Sequence, residues 1–362
     1  MNTFFPEIKK NFGFGCMRFP LDGEVVDEAQ VAQMVDAFLK AGFNYFDTAK
    51  PYHGGKSEGI VRRCLTSRYP REAYVLTDKL SAGCFEGPEG VRPMFEGQLQ
   101  ECGVEYFDFY LLHALNAKRH ELFTRQGIYD IAKALKAEGK IHHLGMSFHD
   151  TADVLDQILT AQPEIEVVQL QLNYVDWIDP RVQSRDCYEV CRKHGKPVLV
   201  MEPVKGGSLA NLPQKAVELM TSGTPASYAL RFAAGHENVI MVLSGMSSQE
   251  QMLDNLATMA EFRPLDEAEL ETIDKVRTIH QGLHKVPCTA CRYCVDGCPA
   301  GIDIPQVFAC FNDKKQNTEG ADDRYAAQAV KADACLECGK CEAVCPQHLH
   351  IRDLLKDVTA AF

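Results

Sequence analysis

Eight of the chain's 15 cysteines stand in two runs of identical spacing, Cys288, Cys291, Cys294 and Cys298 before Pro299, and Cys335, Cys338, Cys341 and Cys345 before Pro346. A C-x2-C-x2-C-x3-C-P run lets three thiolates of one loop reach three irons of a cubane cluster, and soft sulfur donors suit iron and sulfide. Two zinc sites are the competing use of eight thiols, but duplicated four-cysteine runs with a trailing proline are not zinc-ribbon spacing. A second group, Asp47, Tyr52, Lys79 and His113, is scattered along the first third of the chain. Each has an ordinary structural use alone: a cap, a loop aromatic, a surface cation with an apolar stem, a core imidazole. Together they offer acid–base chemistry. A ketone accepting hydride develops alkoxide character and needs a proton, for which a phenol with a pKa of about 10 is a weak donor at neutral pH. A Lys79 ammonium held by Asp47 would favour the phenolate and lower the Tyr52 pKa, while His113 orients the carbonyl.

These residues need a frame that brings distant segments together, and the hydrophobic pattern supplies one. Short β-branched or aromatic runs at 12–19, 43–49, 73–80, 107–113, 141–147, 166–173, 197–202 and 238–245 alternate with stretches of helical periodicity. One such stretch, DEAQVAQMVDAFLKAG, has apolar residues at Val31, Met34, Val35 and Phe38 and a stop at Gly42. Near-continuous apolar strands, each followed by a helix, predict a parallel sheet covered by helices. Eight units in the space available fit a (β/α)8 TIM barrel better than a doubly wound sheet, whose first strand would lead into Gly-x-Gly-x-x-Gly; here Gly13 and Gly15 run into CMRFP. Asp47, Lys79 and His113 then lie at the ends of three successive strands, and Tyr52 in a loop beyond the second. Carboxyl-terminal strand ends are where barrels keep their chemistry.

The composition changes at the cluster motifs: six cysteines precede residue 287 and nine follow it. The expected organisation is a barrel domain over 1–263, a linker helix over 264–287 carrying DEAELETIDKVRTIH, and a small, mainly helical iron–sulfur domain over 288–362. Within the last, CTACRYCVDGCPAGIDI and CLECGKCEAVCPQHLHI repeat the cysteine spacing and place apolar residues three and five positions beyond the proline. Cys310 is surplus to eight ligands and reads as a small buried hydrophobe. His142, His143, His348 and His350 read as solvated or structural, and Gly206-Gly207 as either a backbone approach to a phosphate or a plain turn. With 46% hydrophobic and 24% charged residues and a net charge of −12, nucleic acid and an anionic membrane are poor partners. No apolar run approaches a bilayer span, and MNTFFPEIKK lacks the layout of a secretory signal, so the expected location is cytoplasmic.

Two resemblances follow. The cysteine repeat resembles two-cluster bacterial ferredoxins, in which the fourth cysteine crosses over. That resemblance assigns Cys288, Cys291, Cys294 and Cys345 to one [4Fe-4S] cluster and Cys298, Cys335, Cys338 and Cys341 to the other. Residues 10–260 resemble the aldo-keto reductases at DTAKPY with Gly55 and Ser57-Glu58, at Lys79, at YLLH, and at GMS and VVQLQLN. This implies Asp47, Tyr52, Lys79 and His113 as a catalytic tetrad and a nicotinamide cofactor, NAD(P)H, at the barrel mouth. It also implies cofactor contacts at Ser147 and Gln169 for the carboxamide, Met201 where an aromatic usually stacks on the nicotinamide, and Asn255 at the adenine end. Three departures matter. Phe148 replaces the Asn that usually follows the Ser, Met201 replaces the aromatic, and Gln251 stands where an Arg would clamp a 2′-phosphate. These weaken the case for NADP in particular, and a soft Met face equally suits a flavin ring.

The function these readings imply is an oxidoreductase acting on a small carbonyl or related unsaturated substrate, exchanging electrons through two [4Fe-4S] clusters, with a ferredoxin-like protein as electron partner. Because a nicotinamide exchanges two electrons together and a cubane one, a flavin or redox-active substrate would have to split the pair. The alternative is an iron–sulfur electron carrier or redox sensor whose barrel is a docking scaffold.

Overall fold

In a computed structural model, residues 4–362 are described. Eight parallel strands close a barrel: β1 (Phe12–Gly15), β2 (Tyr45–Asp47), β3 (Val75–Leu80), β4 (Phe107–Leu115), β5 (Ile141–Phe148), β6 (Val167–Gln171), β7 (Val198–Met201) and β8 (Val239–Ser244). Each pairs with its neighbours in sequence, and β8 closes on β1 through Phe12 opposite Val242 and Phe14 opposite Ser244. All eight strand expectations are met, with ends trimmed except at β4 and β5, which run further than the pattern indicates. Closure removes the edges that an open sheet would expose. Helix α1 (Glu28–Lys40) forms as expected, capped by the Asp27 side chain on the Gln30 N–H, burying Val31, Met34, Val35 and Phe38. It stops before Gly42, whose φ of +83° an L side chain rarely adopts.

The barrel interior is filled at its amino-terminal end by Tyr45, Val75, Phe109, Leu111, Val167, Leu199, Met241 and Leu243, with Phe5 and Ile8 from the preceding segment packed on them. This plug is absent from the sequence expectations. His143 sits against it, with Nε2 2.7 Å from Glu7 and Nδ1 3.3 Å from Glu166, and its ring 4.5 Å from that of Phe5.

The chain divides into two compact units. The first runs as far as Pro203 and resumes over Ala226–Leu265. The second joins Val204–Pro225, the segment leaving β7, to Asp266–Phe362. Helix α2 (Glu267–Gln281) opens it with a reciprocal capping box between Asp266 and Glu269. The core of this unit gathers Ile302, Ile304, Leu349 and Ile351, the apolar positions that both sequence repeats place after their prolines, together with Val307, Phe308 and Phe311 of helix α3 (Ile304–Lys315) and Leu355 and Val358 of helix α4 (Ile351–Ala361). Cys310 is buried in the same core. Among the described residues, no helix is long and apolar enough to cross a membrane.

Candidate active site and cysteine cavities

In the barrel unit, the alternation of β3 carries the chemistry. Thr77 and Lys79 point inward, Thr77 donating to the Tyr45 hydroxyl at 2.6 Å, while Asp78 between them points outward to Cys102. Lys79 is fully buried. Its Nζ donates to Asp47 Oδ1 at 2.6 Å and to the Thr48 carbonyl at 2.8 Å, and stands 4.9 Å from the centre of the Tyr52 ring. Asp47 closes β2, and its second oxygen accepts from Gln169 Nε2 at 3.1 Å. The Tyr52 and His113 rings meet edge to face at 6.2 Å. The four residues named from the sequence are therefore contiguous.

His113 lies in an irregular stretch of β4, where the register shifts between Leu112 and Leu115 and Ala114 has a φ of +53°. Such irregularities re-aim side chains at functional sites. The Ala114 N–H donates to Ser147 Oγ at 2.7 Å, which fixes the turn. His113 Nδ1 is 2.5 Å from Ser81 Oγ. Burial, reinforced by the positive charges of Lys79 and Arg119, holds the His113 pKa well below the usual imidazole value, so the ring is neutral. Ser81 is missing from the sequence reading, although it continues the inward alternation Thr77, Lys79, Ser81.

The proposed cofactor positions divide. Ser147 and Gln169 are buried at the tetrad, each already joined to it or to its supporting turn. Met201 ends β7, opposite Gln171 of β6, and is partly exposed. The next residue, Glu202, has a φ of +57°, and its carbonyl accepts from Asn173 Nδ2 at 3.0 Å. Asn173 and Gln171 both donate to the buried Asp176 carboxylate, at 2.6 and 2.7 Å. This network, also absent from the sequence reading, sets the backbone just beyond Met201. Asn255, on the helix Gln249–Ala260, donates to Ser244 at the end of β8 at 2.9 Å. Gln251 folds back, its Oε1 accepting from the Ser247 N–H at 2.8 Å. It therefore closes its own helix end.

In the second unit, Cys288, Cys291, Cys294 and Cys345 line one small cavity, and Cys298, Cys335, Cys338 and Cys341 line another. Ile304 forms part of the wall of both. Each set takes three cysteines from one run and one from the other. The thiols stand on cavity walls instead of converging on a point, and among the described residues no three His, Cys, Asp or Glu groups are close enough to hold a single ion. That geometry suits a multi-iron cluster better than zinc. Both cavities repeat one backbone device. Ala290 and Glu337, each two residues after the first cysteine of a run, have φ of +52° and +51°, and their N–H groups donate to Cys288 Sγ and Cys335 Sγ at 3.4 Å. Such N–H···S bonds favour a thiolate and tune a bound cluster. Burial, with the neighbouring thiols adding to it, pushes the Cys294 thiol up to about 12, so this sulfur needs a bound metal to be a thiolate at neutral pH.

Comparison with known proteins agrees with both halves. The sequence profile of the aldo/keto reductase family matches residues 11–278, and that of a 4Fe-4S dicluster domain matches residues 287–350. The NADH-specific methylglyoxal reductase of Escherichia coli is 25% identical over 275 residues, spanning 62% of this chain and 82% of that protein. The L-galactose dehydrogenase of Arabidopsis thaliana is 26% identical over 292 residues, spanning 74% and 89%. An aldo-keto reductase of Klebsiella pneumoniae solved with NADPH shares the fold at a TM-score of 0.61 and 21% identity, covering 74% of this chain and 90% of that one. The barrel, its closure order and the profile covering most of the sequence place this chain in the aldo/keto reductase family, with a 4Fe-4S dicluster domain at its carboxyl-terminal end.

Proposed function

We propose that the barrel transfers hydride between a nicotinamide dinucleotide and a small carbonyl compound, with Tyr52 as proton donor, and that the carboxyl-terminal unit exchanges single electrons through two [4Fe-4S] clusters. The observation that carries the first half is the Lys79 ammonium, gripped by Asp47 and lying over the Tyr52 ring. A buried positive charge there stabilises the negative charge that grows on the phenol oxygen as its proton leaves. His113 is neutral. The 2.5 Å contact with Ser81 Oγ serves either tautomer; in the one this reading requires, the hydroxyl donates to Nδ1, so that Nε2 carries the proton and donates to the substrate oxygen without competing as an acid. Arg119 holds the carbonyls of His113 and Ala114, at 3.3 and 2.7 Å, which keeps the irregular β4 end in place.

A bound nicotinamide supplies the hydride. Ser147 and Gln169 are the residues to hold its carboxamide, Met201 to face its ring and Asn255 to meet the adenine end. Gln251, spent on its own helix end, favours a dinucleotide without a 2′-phosphate, and the name of the E. coli relative points the same way. A flavin at the Met201 face is the second candidate. It would also match two-electron carbonyl chemistry to one-electron clusters. For the clusters, Cys288, Cys291, Cys294 and Cys345 hold one and Cys298, Cys335, Cys338 and Cys341 the other, with the domain limits at 1–263, 264–287 and 288–362. Cys338 and Leu336 are exposed, which suits a ferredoxin-like electron partner at the second site.

Anaerobic purification, iron and sulfide analysis and extraction of any organic cofactor test the assignment of groups. For the chemistry, Tyr52→Phe should cut carbonyl reduction about 10²- to 10⁴-fold while cofactor affinity stays within about twofold. An unchanged rate removes Tyr52 from the mechanism.

A further inference from the structure

The paired glycines after β7 stand in a tight turn, and what that turn packs against gives it a further role. Val204–Pro225 belongs to the second compact unit, and inside that unit Gly206 lies against Thr289, the residue directly after Cys288, in the wall of the first cysteine cavity. A Cβ on Gly206 would stand 2.8 Å from Thr289 Cα, 2.8 Å from its carbonyl oxygen and 2.9 Å from its Cβ. Two of these are backbone atoms, which cannot move aside as the end of a flexible side chain can. Thr289 is 2% exposed, so it has no solvent to retreat into.

The turn presenting Gly206 is equally fixed. Lys205, Gly206 and Gly207 have φ of +48°, +62° and +95°, and the buried Lys205 holds a conformation that an L residue rarely adopts. Strain of this kind persists where the surroundings over-determine it. Here Gly207 and Leu209 both donate to the Val204 carbonyl, at 3.0 and 3.1 Å, and the Ser208 hydroxyl donates to the Lys205 carbonyl at 2.9 Å. Further along the same segment, Ser222 donates to Glu269 in the first turn of α2. The segment is thus fastened at both ends within this unit.

We infer that Gly206 is a positioning residue for the cluster held by Cys288, Cys291, Cys294 and Cys345: it lets the Lys205–Gly207 turn close directly on the backbone of the loop carrying the first two of those cysteines. This rests on the reading that these cysteines hold a cluster. In chain order the turn follows shortly after Met201.

The test compares Gly206→Ala, Gly206→Asn and Gly207→Ala in the full chain, purified and reconstituted anaerobically. Readouts are iron per chain and the electron paramagnetic resonance spectrum after dithionite reduction. Gly207→Ala is the control, since its φ is just as unfavourable but its Cβ would meet only Asn211 Nδ2 at 3.7 Å. Asn tolerates left-handed backbone but keeps the Cβ, so both Gly206 variants should lose one cluster, from about eight irons to about four, while Gly207→Ala keeps both. A Cys338→Ser chain supplies the spectrum of the first cluster alone, and that signal should be the one missing. Fluorescence of Trp177, the sole tryptophan, monitors the barrel separately in every variant. Gly206 variants with full iron and wild-type spectra, or a Gly207→Ala loss equal to theirs, would overturn the role of Gly206. A wild-type chain that takes up no iron would overturn the cluster reading itself, and is seen before any variant is made.

Discussion

Replacing Lys79 by Met should separate the structural and chemical work of the buried ion pair. In the native barrel the Asp47 carboxylate, 4% exposed, receives Lys79 at 2.6 Å and Gln169 at 3.1 Å. Lys79→Met leaves the carboxylate buried with only the neutral amide, and also strips the Thr48 carbonyl of a donor at 2.8 Å. Breaking a buried pair from one side costs about 3–5 kcal/mol, because the remaining charge is uncompensated, and the orphaned carbonyl adds about 1 kcal/mol. With a urea m-value near the upper end for single domains, about 3 kcal/mol/M, the barrel's unfolding midpoint should fall by roughly 1–2 M. Tyr52→Phe should do the reverse, losing about 1 kcal/mol or less of stability and about 10²- to 10⁴-fold in rate. The decisive variant combines Asp47→Asn with Lys79→Met. With neither charge left buried, most of the lost stability should return, while carbonyl reduction stays as low as in Lys79→Met. Trp177 lies in the barrel unit, so urea titration followed by its fluorescence reads that unit. A Lys79→Met midpoint within experimental error of wild type, or a double variant no more stable than the single, would refute the argument that Asp47 and Lys79 depend on each other.

Three further outcomes are expected. At the barrel base, burial opposes the charge on His143, but hydrogen bonds to Glu166 and Glu7 outweigh it and raise the pKa from 6.5 to about 9; the resulting stability, about 1–3 kcal/mol after allowance for partial exposure, is fully present below the unfolded value and is lost as pH rises through about 9. Urea midpoints measured from pH 6 to 10 should show that decline and His143→Gln should abolish it; an identical decline in the variant assigns it to other groups. Cys298→Ser should remove the iron held with Cys335, Cys338 and Cys341 and spare that of its own run, halving iron to about four per chain; loss of the signal assigned to Cys288, Cys291 and Cys294 would point to uncrossed ligation. Ser81→Ala should lower kcat about 10-fold with little change in cofactor affinity, since it frees the His113 tautomer without touching Tyr52; an unaltered kcat would leave Ser81 as packing only.

The cysteine runs, the eight apolar strands and the presence of Asp47, Lys79 and His113 at successive strand ends are local in character, and so were legible in the sequence. Spacing within a loop and a period of two along a strand depend on covalent geometry, which needs no tertiary information. The apolar positions after each proline were equally legible, since Ile302, Ile304, Leu349 and Ile351 all reach the core of the second unit. What lies across the barrel was not legible. That Ser81 meets His113, that Gln169 meets Asp47 from far along the chain, and that Asn173 and Asp176 set the turn after Met201 depend on strand stagger and on a register shift in β4 that no alternation announces. The plug of Phe5 and Ile8 was missed because a short segment before the first strand carries no period by which to recognise it. Gly206-Gly207 shows the limit most plainly. Sequence registers two residues free to take positive φ, but which backbone they must approach is a long-range steric fact, decided only when the segment after β7 folds with the cysteine loops and Thr289 fills the space a side chain would have taken.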